Sequence, residues 1–152
     1  MLYGKPNPGD EAWRVREPID VIRDTEYFSD LGESALAEMA EACQYVELNR
    51  GEVLFEEGEA AESFYILAYG RLGLWSGRRR VGEVHPKECI GEVALLRDRN
   101  RTETVKAERD CLLLQLTKKS FESLLENYPK AMLKVALHVT DRLAGSYVQT
   151  TR

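Results

Sequence analysis

The chain has 152 residues, the usual size of one domain and too few for a second full core. Hydrophobic residues make up 43% and charged residues 31%, an ordinary globular balance. The net charge of −5 without an obvious basic face argues against direct nucleic acid binding by this chain. The longest apolar runs, such as Phe64–Tyr69 and Cys111–Leu114, are far too short to cross a bilayer, so no membrane insertion is expected. Met1–Asp10 lacks an apolar stretch and does not read as a signal peptide. Cys43, Cys89 and Cys111 are widely spaced, with no C-x-x-C pair and only two histidines in the chain. That pattern disfavours a disulfide framework or a metal site and points to a reducing cytoplasm.

In chain order, residues 1–17 read as a flexible lead-in rich in Gly, Pro and Asn. Residues 18–45 read as N-terminal helices. Pro18 suits the first turn of a short helix through Ile19, Val21 and Ile22. Ser34 fits an N-cap for a second, whose apolar stripe is Leu36, Met39, Ala40 and Cys43, with Glu38 and Glu41 solvated. From 46 to 117 the period changes to short β-type runs broken by glycines. Val53–Phe55, Ser63–Ala68, Arg71–Trp75, Arg80–Val84, Thr104–Ala107 and Cys111–Leu116 read as strands, with a hairpin tip at Ser76–Arg78. Residues 118–152 turn helical again. Phe121, Leu124 and Leu125 mark one helix, and Pro129 opens another with the stripe Met132, Leu133, Ala136, Leu137, Thr140, Leu143 and Ala144. The fold class is therefore mainly β with flanking helices, a closed or sandwiched β-roll (jelly roll) between N-terminal helices and a C-terminal lid or dimer helix.

The segment Ile90–Val105 carries the chemistry. Gly91 precedes Glu92 and a helix-capable run to Leu96. A strand end, a glycine and one helical turn would expose backbone N–H groups that favour an anion. Arg101 lies nine residues beyond Glu92, and its planar guanidinium can hold two phosphate oxygens at once. Glu92 can accept from a ribose 2′-hydroxyl, and Thr102 offers a hydroxyl and an N–H beside Arg101. These groups suit a small cyclic phosphate ester.

Gly91-Glu92-Val93-Ala94-Leu95 with Arg101-Thr102-x-Thr104-Val105 resembles the phosphate-binding cassette of cyclic-nucleotide-binding domains. That family includes protein kinase regulatory domains and catabolite-activator-type sensors. Arg50–Glu59 and Phe64–Gly70 are similar to its early β-roll stretches. The resemblance implies a ligand, cAMP or cGMP, and no cofactor. It implies that Arg101 binds the exocyclic phosphate oxygens and Glu92 the ribose. Gly91 and the amides of Glu92, Val93 and Ala94 would line the phosphate, and Thr102 would add a contact to phosphate or guanine. Ser146 and Tyr147 fall where bacterial activators read the base, and Tyr147 also suits an aromatic lid. The helix that follows Pro129 would move with ligand, and in relatives it extends into a dimer seam, which leaves homodimer and monomer both open. No enzyme is expected, since no nucleophile–base pair or metal motif appears.

Three residues depart from the family pattern. Asn100 stands where Pro is usual, and Lys87 where Gly is usual, so that bend is expected to differ. Glu103 stands where Ala is usual. In an extended strand, residues 101 and 103 share a face, so Glu103 would pair with Arg101 and compete with phosphate. That gives the alternative reading, a degenerate fold with Glu103 blocking the pocket and a role in protein interaction. The effector is unnamed, and the chain reads as a stand-alone sensor or a domain of a larger regulator.

Overall fold

The computed structural model describes residues 16–25, 28, 31–91 and 99–137. Two short helices come first, α1 (Pro18–Arg23) and α2 (Glu33–Ala42). Eight strands follow: β1 (Gln44–Leu48), β2 (Val53–Phe55), β3 (Ser63–Tyr69), β4 (Leu72–Ser76), β5 (Arg79–Val84), β6 (Cys89–Ile90), β7 (Thr104–Ala107) and β8 (Cys111–Thr117). The last described elements are helix α3 (Lys118–Asn127) and helix α4, residues 129–137. The strands form two antiparallel sheets of four, ordered β1-β8-β3-β6 and β2-β7-β4-β5. A β-roll between helices is thus the fold.

The central strands of the first sheet, β3 and β8, are covered on both faces. On β3, Phe64 and Ile66 join the helices Val21, Ile22, Leu36, Met39, Phe121 and Met132 come from, while Tyr65 and Leu67 turn into the roll. On β8, Leu114 and Leu116 face the helices, and Cys111 and Leu113 face inward. A sheet buried on both sides needs apolar residues at every position, which explains the unbroken FYIL and CLLL runs. The second sheet has one wet face, so β7 alternates: Val105 and Ala107 are buried, Lys106 exposed.

Several details differ from the sequence reading. Strand β1 begins at Gln44, where helix was expected, and pairs along its whole length with β8. Helix α2 begins at Glu33 with Gly32 at its N-cap, so Ser34 lies inside the first turn and caps nothing. Thr117 caps α3 instead, its hydroxyl accepting from the Ser120 N–H. The C-terminal stripe divides. Of its members Met132 is buried, Ala136 half-buried and Leu133 and Leu137 60% and 56% exposed, while Val135, which the stripe did not include, is buried; Thr140, Leu143 and Ala144 lie outside the described residues. Among the described residues of α4, the Met132–Val135 side packs on the roll. At Lys87 the bend keeps a left-handed backbone, φ 78°, the region glycine occupies most cheaply. The lysine there carries strain that a glycine would not.

Candidate functional site

The site is built where the two sheets meet the loop after β2. The Arg101 amide donates to the Glu59 carbonyl at 2.7 Å, and the Gly58 amide donates to the Arg101 carbonyl at 2.8 Å. A bridge between Ala60 and Asn100 continues this pairing. The backbone at 101 is therefore held to the loop after β2 through both its N–H and its C=O.

The Arg101 side chain turns inward and is only 5% exposed. Its Nη1 donates to the Gly91 carbonyl at 2.9 Å, and its Nη2 donates to the Ser63 carbonyl. Those carbonyls converge because β6 pairs antiparallel with β3, Ile90 opposite Tyr65, so the chain leaving Ile90 runs toward the start of β3. Beneath the guanidinium lies the Phe55 ring, 4.0 Å from Cζ to centroid. Phe55 in turn stacks on Tyr65 at 6.3 Å. A buried cation needs polar or π partners to offset its lost hydration, and carbonyls and ring supply them here. Fixed in this way, in a setting of lowered dielectric, a guanidinium attracts an anion far more strongly than it would in water.

Gly91 has φ 89°. A Cβ at that position would sit 2.5 Å from Arg101 Nη1, so the guanidinium occupies the space a side chain would need. Glycine is required here for backbone and for contact alike.

Thr102 is exposed, and the chain bends at 102–103 before β7 starts at Thr104. The expectation that Glu103 pairs with Arg101 is corrected at this bend. The two-residue alternation of an extended strand does not reach back to 101, and no Glu103–Arg101 ion pair is present among the described residues. Among the described residues the charge that acts on Glu103 is that of Glu57. Burial pushes the Glu103 carboxyl above its ordinary range, and the Glu57 charge pushes it further the same way. Glu57 is itself tied down, its amide donating to Thr104 Oγ1 at 3.0 Å and its Oε1 accepting from the Gly77 amide at 3.1 Å. Of the other expected ligand residues, Glu92, Val93, Ala94, Ser146 and Tyr147 lie outside the described residues.

Two contributors escaped the sequence reading. Ser63 acts through its carbonyl, which any residue would offer, so no signal exists for it. Phe55 looks like an ordinary core aromatic in a β run, and only its place under Arg101 sets it apart.

The cyclic nucleotide-binding domain family profile matches residues 45–128. The chain belongs to this family. The match takes in both sheets, apart from the first residue of β1, together with Gly91 and Arg101. Among curated relatives, the lysophospholipase NTE1 of Chaetomium globosum is 29% identical over 133 residues, 84% of this chain and 9% of that protein. The chain thus spans less than a tenth of the length of that relative. Among solved structures, the N-terminal domain of a transcriptional regulator from Streptomyces coelicolor A3(2) is 28% identical with a TM-score of 0.71, covering 84% of this chain and 94% of that one. The cAMP-bound PfPKA-R (141–441) is 26% identical with a TM-score of 0.66, covering 78% and 46%. None of the three cysteines of this cyclic nucleotide-binding domain is in a disulfide, and no helix among its described residues is long and apolar enough to cross a membrane.

Proposed function

We propose that this domain is a sensor module that binds cAMP or cGMP and transmits occupancy through its C-terminal helix. The observation that carries the reading is the buried guanidinium of Arg101, held at Gly91 where the cassette begins. In this reading Arg101 and the cassette amides of Glu92, Val93 and Ala94 take the cyclic phosphate, Glu92 takes the ribose 2′-hydroxyl, and Thr102 adds a hydroxyl contact. Ser146 and Tyr147 meet the base. Ligand binding then favours one packing of the C-terminal helix over another, limited by the differential affinity for the two states. Leu133 and Leu137 give that helix an exposed apolar edge on which a partner or a second copy can read the change. The module is regulatory rather than enzymatic, and cysteines outside any disulfide suit a cytoplasmic setting.

Calorimetric titration with cAMP and with cGMP tests the reading. Saturable binding that Arg101→Ala abolishes supports it, and silence from both nucleotides overturns it. The degenerate-fold alternative predicts that Glu103→Ala creates binding the native chain lacks. The separation of Glu103 from Arg101 at the 102–103 bend favours the sensor.

A further inference from the structure

We infer that Phe55 is a positioning residue for the anion-binding arginine: its ring face sets the plane of the Arg101 guanidinium, and ligand affinity depends on that face. The inference rests on the reading of Arg101 as the phosphate ligand.

An arginine side chain has four rotatable bonds and loses about 2 kcal/mol of rotamer freedom when it is held in one geometry. The loss falls on the ligand unless the protein has already made it. Among the described residues the orientation is set from three directions. The Gly91 and Ser63 carbonyls take one N–H from each terminal nitrogen, which fixes the guanidinium within its own plane. Neither carbonyl prevents tilting out of that plane. The Phe55 ring, 4.0 Å below Cζ, does so. Phe55 cannot readily yield, since its side chain is 7% exposed and backed by Tyr65. Tyr65 is anchored in turn by Gln115 Nε2 donating to its hydroxyl. The missing side chain at Gly91 completes the slot, because a Cβ there would lie 3.5 Å from Phe55 Cε2 as well as against Arg101. Phe55 therefore faces the cation with the negative side of its quadrupole. An aliphatic side chain of similar bulk would fill the same core volume without that attraction.

The experiment replaces Phe55 by leucine, by tyrosine, and by 3,4,5-trifluorophenylalanine, which keeps the shape of the ring and removes its negative face. Two readouts are taken: calorimetric affinity for cAMP and cGMP, and the NMR signal of the Arg101 Nε–H, displaced by the ring current of Phe55. The expected result is a loss of about tenfold in affinity for Phe55→Leu and for the fluorinated ring, with Phe55→Tyr close to the native protein. The Arg101 signal should move in Phe55→Leu and stay in Phe55→Tyr. Native affinity in the fluorinated protein overturns the inference, as does an unmoved Arg101 signal in Phe55→Leu. Should the native protein bind neither nucleotide, the sensor reading fails by itself. The NMR arm then still decides whether the Phe55 ring lies against Arg101. The fluorinated variant also covers the case in which Phe55→Leu does not fold.

Discussion

Replacing Gly91 by alanine should damage stability and ligand binding by separable mechanisms. The backbone at Gly91 has φ 89°, a region that costs an L-residue about 1–2 kcal/mol. At a few degrees per kcal/mol for a chain of this size, that strain lowers Tm by about 3–6 °C. The second effect is steric. The new Cβ would lie 2.5 Å from Arg101 Nη1 and 3.3 Å from Cζ, so the guanidinium must retreat by about 1 Å to restore van der Waals contact. Retreat breaks the 2.9 Å bond to the Gly91 carbonyl and shifts the charge from where the cassette would present it. A phosphate that loses one charge-assisted hydrogen bond to the displaced guanidinium loses about 1.5–3 kcal/mol, so nucleotide affinity should fall at least about tenfold. Gly51→Ala is the control. Gly51 has φ 92° with nothing within 4 Å of a built Cβ, so it should reproduce the strain without the clash. Thermal melts and calorimetric titrations on both variants provide the assay. If Gly91→Ala binds cAMP and cGMP as tightly as Gly51→Ala does, the guanidinium is not where affinity is decided, and the reasoning fails.

Lys87→Gly should raise stability by about 1 kcal/mol in a denaturant melt, because φ 78° strains lysine and not glycine; no gain would mean that the Lys87 side chain makes compensating contacts. Glu103→Gln should raise Tm by about 1–2 °C at pH 7, with the gain vanishing below about pH 4.5. The sign follows from the upward shift of this carboxyl by burial and by Glu57: the protonated form is favoured by the fold, so stability is lost as pH rises through the folded-state value. An equal gain at pH 4 would exclude the electrostatic cause. Glu108 behaves oppositely. Arg80 and then Arg71 hold its carboxyl below the ordinary range, with Arg80 Nε at 2.8 Å and Arg71 Nε at 3.1 Å. Glu108→Gln should therefore lose stability at neutral pH, by less than about 1 kcal/mol and less still in high salt. A loss that persists unchanged at low pH would contradict this.

Much of this domain was legible without coordinates. Glycine-broken β runs and helical stripes at both ends specify a roll between helices, since local periodicity reflects which side of an element meets the core. The spacing from Gly91 to Arg101 marked a pair that the fold brings into contact, because backbone conformation and reach are properties of short stretches of chain. Long-range facts were beyond it. Strand β1 was missed because Gln44–Leu48 has charged and half-buried positions and becomes a strand only by pairing with β8, more than sixty residues away. Leu133 and Leu137 looked equivalent to Met132, but which part of an apolar stripe is covered depends on what packs against it. The pairing assigned to Glu103 assumed an extended chain through 101–103, and the bend there is held by the loop after β2, from outside the segment. Above all, tertiary structure alone placed Phe55 and the Ser63 carbonyl around Arg101. An arginine's identity says that it can hold a phosphate; what holds the arginine comes from strands distant in sequence, and only folding brings them together.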